Sequence, residues 1–384
     1  MPSRNRSNIP GADITDADTP DPDMPGSNIP GSDTRGANTP DAYIAGGSQR
    51  VRASLSAVSA RLARYVPGRR NSGRRLRSDQ HPEANPIPYR DVAIALHTNR
   101  QLAVAEFGDR HGIPVFWFHG TPGARLQIPP EAPELARQRG VRIISVDRPG
   151  TGGSSHTPRR TLLSWATDIE QCADALAIER FAAVGLSGGG PYVLACAHEL
   201  RDRMVVGASL GGIGPTAGQE RAPGYPALLS GTARALTIAR RPLGTMVNTA
   251  AQLLRPWCSP LFDVYARYGA RIDREVLERP DMRAAFTADL LIAMSGGLRG
   301  AVDDLALLSR PWQFSPRNIR LPIRLWHGEA DPIVPLDHAK HLAALVPDSR
   351  LFVLTGLGHF AGFCNSARVF DDLLAVWSDR HSAR

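Results

Sequence analysis

Three residues far apart in the chain have the types and settings of a nucleophilic relay. Ser187 lies in Gly185-Leu186-Ser187-Gly188-Gly189-Gly190, Asp331 in Trp326-His327-Gly328-Glu329-Ala330-Asp331-Pro332, and His359 in Gly356-Leu357-Gly358-His359-Phe360. A serine hydroxyl is a poor nucleophile until an imidazole takes its proton, and the imidazole needs a third group to hold it in place. Ser187 follows the apolar run Phe181–Leu186 and precedes a helical pattern. A strand-to-helix turn of this kind forces the side chain out at the edge of a sheet, and its glycines allow the strained backbone and the close passage of neighbouring segments. The helix N-terminus just beyond offers unpaired N–H groups to a developing anion. The competing reading of the same glycines is a phosphate-binding or packing turn, which here lacks the lysine of a P-loop.

Eleven histidines are present, so position must select the base. His359 follows the last strand-like run in a glycine-flanked loop that can swing an imidazole over the end of the sheet. Asp331 lies just past the strand run Pro322–Trp326, 28 residues before His359. The chain order Ser, acid, His is the one used with a strand–turn–helix nucleophile. Glu329 competes for the acid role; two residues closer to the strand, it would point elsewhere, and Asp331 is favoured. Acyl transfer also needs two N–H donors for the oxyanion. Gly188, next to the nucleophile, is one candidate. Thr121, in the loop His119-Gly120-Thr121-Pro122-Gly123, is the other, because Pro122 has no N–H to give. The segment Asp147–Ser154 is read as a structural turn beneath the site.

The elements that must position these residues alternate. Strands are expected at Asp91–His97, Gln101–Gly108, Pro114–Phe118, Val141–Asp147, Phe181–Leu186, Met204–Gly211, Pro322–Trp326 and Arg350–Leu354. Helices are expected at Ala132–Arg139, Leu162–Ile178, Pro191–Leu200, Leu336–Leu345 and Ala367–Trp377. Repeated β–α alternation implies a mostly parallel sheet with helices on both faces. The alternation breaks at about Gly214. Residues 214–316 read as helices alone, at Ala227–Ala239, Gly244–Leu254, Asp281–Ser295 and Gly300–Leu308, an insertion of the size of a lid. Its bulky residues Tyr225, Trp257, Phe262, Tyr265, Tyr268 and Phe286 are core or pocket wall.

The formal net charge of +8 is unevenly spread. Residues 1–47 carry three arginines against seven aspartates, and residues 48–90 carry ten arginines against Asp79 and Glu83. The remainder is only mildly basic, which argues against nucleic-acid binding. Residues 1–47 are Pro- and Gly-broken, with Ser7-Asn8-Ile9-Pro10-Gly11 recurring as Ser27-Asn28-Ile29-Pro30-Gly31. Such a segment cannot bury a core, so disorder is expected. Residues 49–77 have a basic amphipathic pattern; a solvated linker helix is favoured over peripheral contact with an anionic membrane. No apolar run reaches membrane-spanning length and no secretory signal is present, so a cytoplasmic location is expected. Cys172, Cys196, Cys258 and Cys364 lack metal or redox spacing, and the first two read as buried fillers in a reducing compartment.

Taken together, the His119-Gly120 loop, the Asp147–Ser154 turn, the Ser187 elbow and the Asp331–His359 pair resemble the α/β-hydrolase superfamily in its lid-bearing serine branch. The resemblance covers about residues 86–384. It implies an α/β-hydrolase fold: an eight-stranded, mostly parallel sheet with strand two antiparallel, flanked by helices, with a helical lid after strand six. The domain plan is then a disordered, basic N-terminal segment (1–85), a first core part (86–213), the lid (214–316) and a second core part (317–384). The implied activity is cofactor-free and metal-free hydrolysis of a small acyl substrate through an acyl-enzyme on Ser187, as in esterases and lipases. C–C hydrolysis, perhydrolysis and acyl transfer use the same triad and stay open, as does a non-catalytic binding protein on this fold. Ser187 in place of an aspartate disfavours the epoxide-hydrolase and haloalkane-dehalogenase relatives, and Thr121 in place of a second glycine disfavours proline iminopeptidases. Oligomeric state is left open.

Overall fold

The computed structural model describes residues 88–97, 99–224 and 271–382. Eight strands form one sheet: β1 (Arg90–Ala95), β2 (Gln101–Gly108), β3 (Ile113–Phe118), β4 (Val141–Val146), β5 (Phe181–Leu186), β6 (Met204–Leu210), β7 (Ile323–Gly328) and β8 (Ser349–Leu354). Their spatial order is β1-β2-β4-β3-β5-β6-β7-β8. β2 runs antiparallel to both neighbours, and the remaining pairs are parallel. β5 and β6 are buried along their whole length, which is why their sequences are continuous small and apolar runs rather than alternating ones. The edge strands are more open: Arg90, Asp91, Ala93 and Ala95 of β1 and Arg350 and Val353 of β8 are exposed, and Ile94 is the one buried residue of the two strands.

Among the described residues the helices are α1 (Ala132–Gln138), α2 (Leu162–Ala175), α3 (Gly190–Glu199), α4 (Arg271–Glu278), α5 (Pro280–Ala293), α6 (Arg299–Leu308), α7 (Leu336–Leu345), α8 (Ala361–Cys364) and α9 (Ser366–Ser382). A reciprocal Thr161–Ser164 capping box starts α2. It ends at Ala175, three residues short of the expected Ile178, because Ala177 turns into the left-handed region at φ +53°. Trp165 of α2 fixes this layer to the sheet: it is 2% exposed and lies edge-on to Phe118 at 5.3 Å and Tyr192 at 5.9 Å. Truncating such a residue to Ala costs about 3–5 kcal/mol. Cys172 and Cys196 are buried within α2 and α3.

Two features of the topology bring distant loops together. β4 lies on one side of β3 and β5 on the other, so the chain reverses its direction of travel across the sheet at β3. The carboxyl ends of strands at such a point open a crevice. The registers then align the strand ends. Phe118 pairs with Gly185, Leu186 with Leu210, Leu210 with Trp326, and Trp326 with Phe352. The loops after β3, β5, β6, β7 and β8 therefore leave from one edge.

Between β6 and β7 the described residues form α4, α5 and α6. The expected disordered and basic segment 1–85, with its 49–77 pattern, lies outside the described residues. So do the expected helices Ala227–Ala239 and Gly244–Leu254, the aromatics Tyr225, Trp257, Phe262, Tyr265 and Tyr268, and Cys258. Among the described residues, no helix is long and apolar enough to cross a membrane.

Candidate active site

Ser187 stands on the turn between β5 and α3 with φ +51°, a conformation that costs a non-glycine residue free energy and is kept only where the surroundings enforce it. The enforcement is visible in the glycines around it. A Cβ on Gly185 would collide with the Gly189 carbonyl, and one on Gly189 would strike the Phe118 carbonyl of β3. The turn thus folds flat against β3, and Gly120 of the next loop lies against Ser187, its Cβ position 3.6 Å from the serine Cβ.

Asp331 and His359 meet beyond β7 and β8. His359 Nδ1–H donates to Asp331 Oδ2 at 2.7 Å, with both side chains buried. The other carboxylate oxygen, Oδ1, accepts the backbone N–H groups of Ile333 and Val334, each at 2.9 Å. Burial alone would raise the Asp331 carboxyl. The N–H donors from His327, His359 and Val334, with the His359 charge, outweigh it and hold the group well below the usual carboxylate range. Asp331 is therefore ionised at neutral pH, and its bond to Nδ1 fixes the tautomer of the neutral His359 ring that leaves Nε2 as an acceptor. The imidazole lies over Gly211 at the end of β6, whose Cβ position is 3.2 Å from Nδ1. That places the ring above the strand next to the one carrying Ser187. Glu329 goes elsewhere: it is exposed and accepts the Gly356 N–H at 3.0 Å.

Thr121 and Gly188 are also adjacent. Thr121 Oγ1 is 2.5 Å from where a Cβ of Gly188 would stand. The loop around Thr121 is held by a buried polar network that sequence reasoning underestimated. Arg148, fully buried, donates to the carbonyl oxygens of His119 and Gly120, to Thr121 Oγ1 at 2.9 Å and to Asp304 Oδ2 at 2.8 Å. Asp304 also faces Arg160 at 2.6 Å and accepts the Tyr192 hydroxyl at 2.6 Å. Burial pushes the Asp304 carboxyl up, but the two guanidinium groups and Tyr192 bring it down to about 2. Burial and the Arg148 charge push His119 well below the ordinary imidazole value. Its contacts fit the neutral ring: Nδ1–H donates to Gly120 O at 2.8 Å and Nε2 accepts the Arg148 N–H at 3.2 Å. Gln127 accepts the Gly120 N–H at 2.5 Å. The Asp147–Ser154 segment was read as structural. It is so, in that Asp147 ties Arg125 and Gly153, but its Arg148 is the main clamp of the Thr121 loop.

Helices α4, α5 and α6 each reach a loop of this edge. Asp273 of α4 accepts the Phe360 N–H at 3.3 Å. Asp289 of α5 accepts the N–H groups of Ala124 and Leu126 at 2.9 and 3.0 Å, and burial drives its carboxyl well up. Phe286 of α5 packs on Phe360 at 5.3 Å, beside His359. Leu308 of α6 comes within 3.4 Å of the Gly188 Cβ position. Asp273 and Asp289 were not singled out in the sequence: a lone acid on a helix carries no spacing signal. Among the described residues, no group of three or more His, Cys, Asp or Glu is arranged to hold a metal ion.

Comparison with known proteins matches residues 113–365 to the family described as alpha/beta hydrolase fold. Among curated relatives, a 2-hydroxymuconate semialdehyde hydrolase from Pseudomonas putida is 29% identical over 280 residues, covering 71% of this chain and 90% of its own. Two solved structures show the same fold. One is a thermophilic esterase from Thermogutta terrifontis (TM-score 0.54, 19% identity, 75% of this chain and 99% of that one). The other is a meta-cleavage product hydrolase from Pseudomonas fluorescens (TM-score 0.53, 18% identity, 75% and 98%).

Proposed function

The chain belongs to the α/β-hydrolase family, and on that premise we propose that it is a serine hydrolase opening an acyl bond of a small molecule through a covalent intermediate on Ser187. The observation that carries this reading is the buried Asp331–His359 hydrogen bond of 2.7 Å, at the sheet edge where Ser187 stands at φ +51°.

In the proposed reaction His359 Nε2 takes the Ser187 proton as the hydroxyl oxygen attacks the substrate carbonyl. The backbone N–H groups of Thr121 and Gly188 receive the oxyanion. His359, now an imidazolium stabilised by Asp331, passes its proton to the leaving group. Water then attacks the acyl-enzyme by the same route and releases the acid. Each oxyanion donor supplies about 3 kcal/mol. Residues 214–316 act as the lid: the contacts of α4, α5 and α6 with the loops of His359, Ala124–Leu126 and Gly188 support this role.

A second reading follows from the curated relative, a 2-hydroxymuconate semialdehyde hydrolase. Here the bond broken is C–C, the leaving carbon takes the proton, and the triad is unchanged. The test is turnover of a short-chain chromogenic ester and of a β-diketone by wild type and Ser187→Ala. Ester turnover lost in the variant supports the first reading, and faster diketone cleavage the second. Equal rates in wild type and Ser187→Ala on both substrates would remove the proposal.

A further inference from the structure

Asp331 Oδ2 is approached by two histidines. Besides His359, His327 at the end of β7 brings its Nε2 to 3.3 Å from the same oxygen. The same nitrogen lies 2.7 Å from the Val334 carbonyl. The His327 and Asp331 side chains are 1% and 0% exposed. Both neighbours of Nε2 are acceptors, so Nε2 must carry the proton: an unprotonated nitrogen would set three lone pairs against one another in a dry site. The straight hydrogen bond goes to Val334 O, and the flank of the same N–H faces the carboxylate.

We propose that His327 is a positioning residue of the relay: its Nε2–H clamps both ends of the Asp331–Val334 turn and places a second N–H dipole against the oxygen used by His359. The inference rests on the reading of Asp331 and His359 as acid and base. Two consequences follow. Asp331 keeps the orientation that receives His359, since Val334 also donates to Oδ1 at 2.9 Å and is itself held by its carbonyl. A second donor on Oδ2 also draws charge from the oxygen that faces the His359 ring.

The charged and titratable neighbours leave the effect readable. His338 of α7 faces His327, but burial first and His327 second push its pKa down to about 4, so it is uncharged near neutrality. Asp273 of α4 accepts the Phe360 N–H and lies against Gly358, so its carboxylate borders both chain neighbours of His359; it is unchanged in every variant compared and cancels between them. Glu329, exposed, holds Gly356.

The experiment compares His327→Phe and His327→Gln, with Ser187→Ala alongside, in ester turnover across pH 5 to 9. Gln reaches as far as the imidazole Nε2 and restores a donor; Phe fills the space without one. His327→Phe is expected to lose about tenfold in kcat with KM within about twofold, roughly the worth of one hydrogen bond behind the relay. The acid limb of its kcat/KM profile moves to higher pH by about half a unit or more. His327→Gln retains the wild-type limb and kcat within about threefold. A purely packing role predicts a lowered melting temperature in His327→Phe with kcat and the acid limb unmoved, and that result overturns the proposal. Nitrogen-15 NMR of the wild type gives a readout independent of folding of the variants and of activity. The His327 ring must show a proton on Nε2, and an Nε2 without one also overturns the proposal. If Ser187→Ala keeps wild-type turnover, the nucleophile assignment fails; if it is inactive while His327→Phe is unchanged, the clamp alone fails.

Discussion

Replacing Arg148 with Met removes a buried cation without opening a large cavity. The guanidinium, itself fully buried, contacts Asp304 at 2.8 Å, Gly120 O at 2.8 Å, the His119 carbonyl and, at 2.9 Å, the half-buried Thr121 Oγ1. Breaking one side of a buried ion pair costs about 3–5 kcal/mol. Arg160 still faces Asp304 at 2.6 Å in the variant, so the lower figure of about 3 kcal/mol is expected. That is a large share of the roughly 5–15 kcal/mol that holds a domain folded. At about 2–4 °C per kcal/mol the melting temperature falls by roughly 6–12 °C. The acid side shifts as well. Asp304 is depressed from 3.8 to about 2, so its contribution, on the order of 2 kcal/mol, is fully present above pH about 4 and is lost as pH falls toward 2. With one counter-charge gone, burial raises the carboxyl, and acid unfolding of the variant begins at higher pH. Because the lost bonds held the Thr121 loop, kcat should also fall, by about 10–100-fold, the effect of a small displacement at a reacting centre. Urea melts followed by circular dichroism at pH 7 and pH 4, with ester turnover on the same samples, check all three. A variant within about 1 kcal/mol and about twofold in kcat of wild type would refute the claim that this network holds the loop.

Other expected outcomes concern single contacts. Asp331→Asn leaves the fold intact but presents a neutral amide to His359 and frees the wrong tautomer, so kcat drops by about 10⁴; Glu329→Gln, altering only an exposed turn contact, stays within about twofold in the same turnover assay. Gly188→Ala drives a methyl group into Thr121 Oγ1, 2.5 Å away, and should cost about 10²–10³ in kcat with little change in KM. Asp289→Ala strands the N–H groups of Ala124 and Leu126 in a dry site and lowers stability by about 1–3 kcal/mol for each, measurable by urea melts.

The sheet was readable because buried parallel strands need continuous apolar runs. The eight expected runs match β1–β8 within two residues at either end. Helix α4 escaped notice: its sequence Arg-Ile-Asp-Arg-Glu-Val-Leu-Glu has only three apolar residues among charges, too short an apolar stripe to stand out over two turns. At the site, the glycines around Ser187 and His359 announced themselves because close approach demands glycine. The choice of Asp331 over Glu329 rested on spacing from the strand, and in the structure Asp331 is the carboxylate bonded to His359. The supporting charges were harder to see. Arg148 and Asp304 lie 156 residues apart and carry no local pattern, so only folding shows that an arginine from one turn clamps the loop of another. His327 was hidden in the same way, since a histidine ending a strand is usually structural.

The central claim is tested most directly by intact mass spectrometry after exposure to a small fluorophosphonate, with the modified peptide sequenced. A relay at this sheet edge predicts one phosphonyl group per chain, on Ser187, with labelling abolished in Ser187→Ala and slowed strongly in His359→Ala. A protein that hydrolyses its ester yet takes up no label on Ser187, or labels as fast without His359, would contradict it.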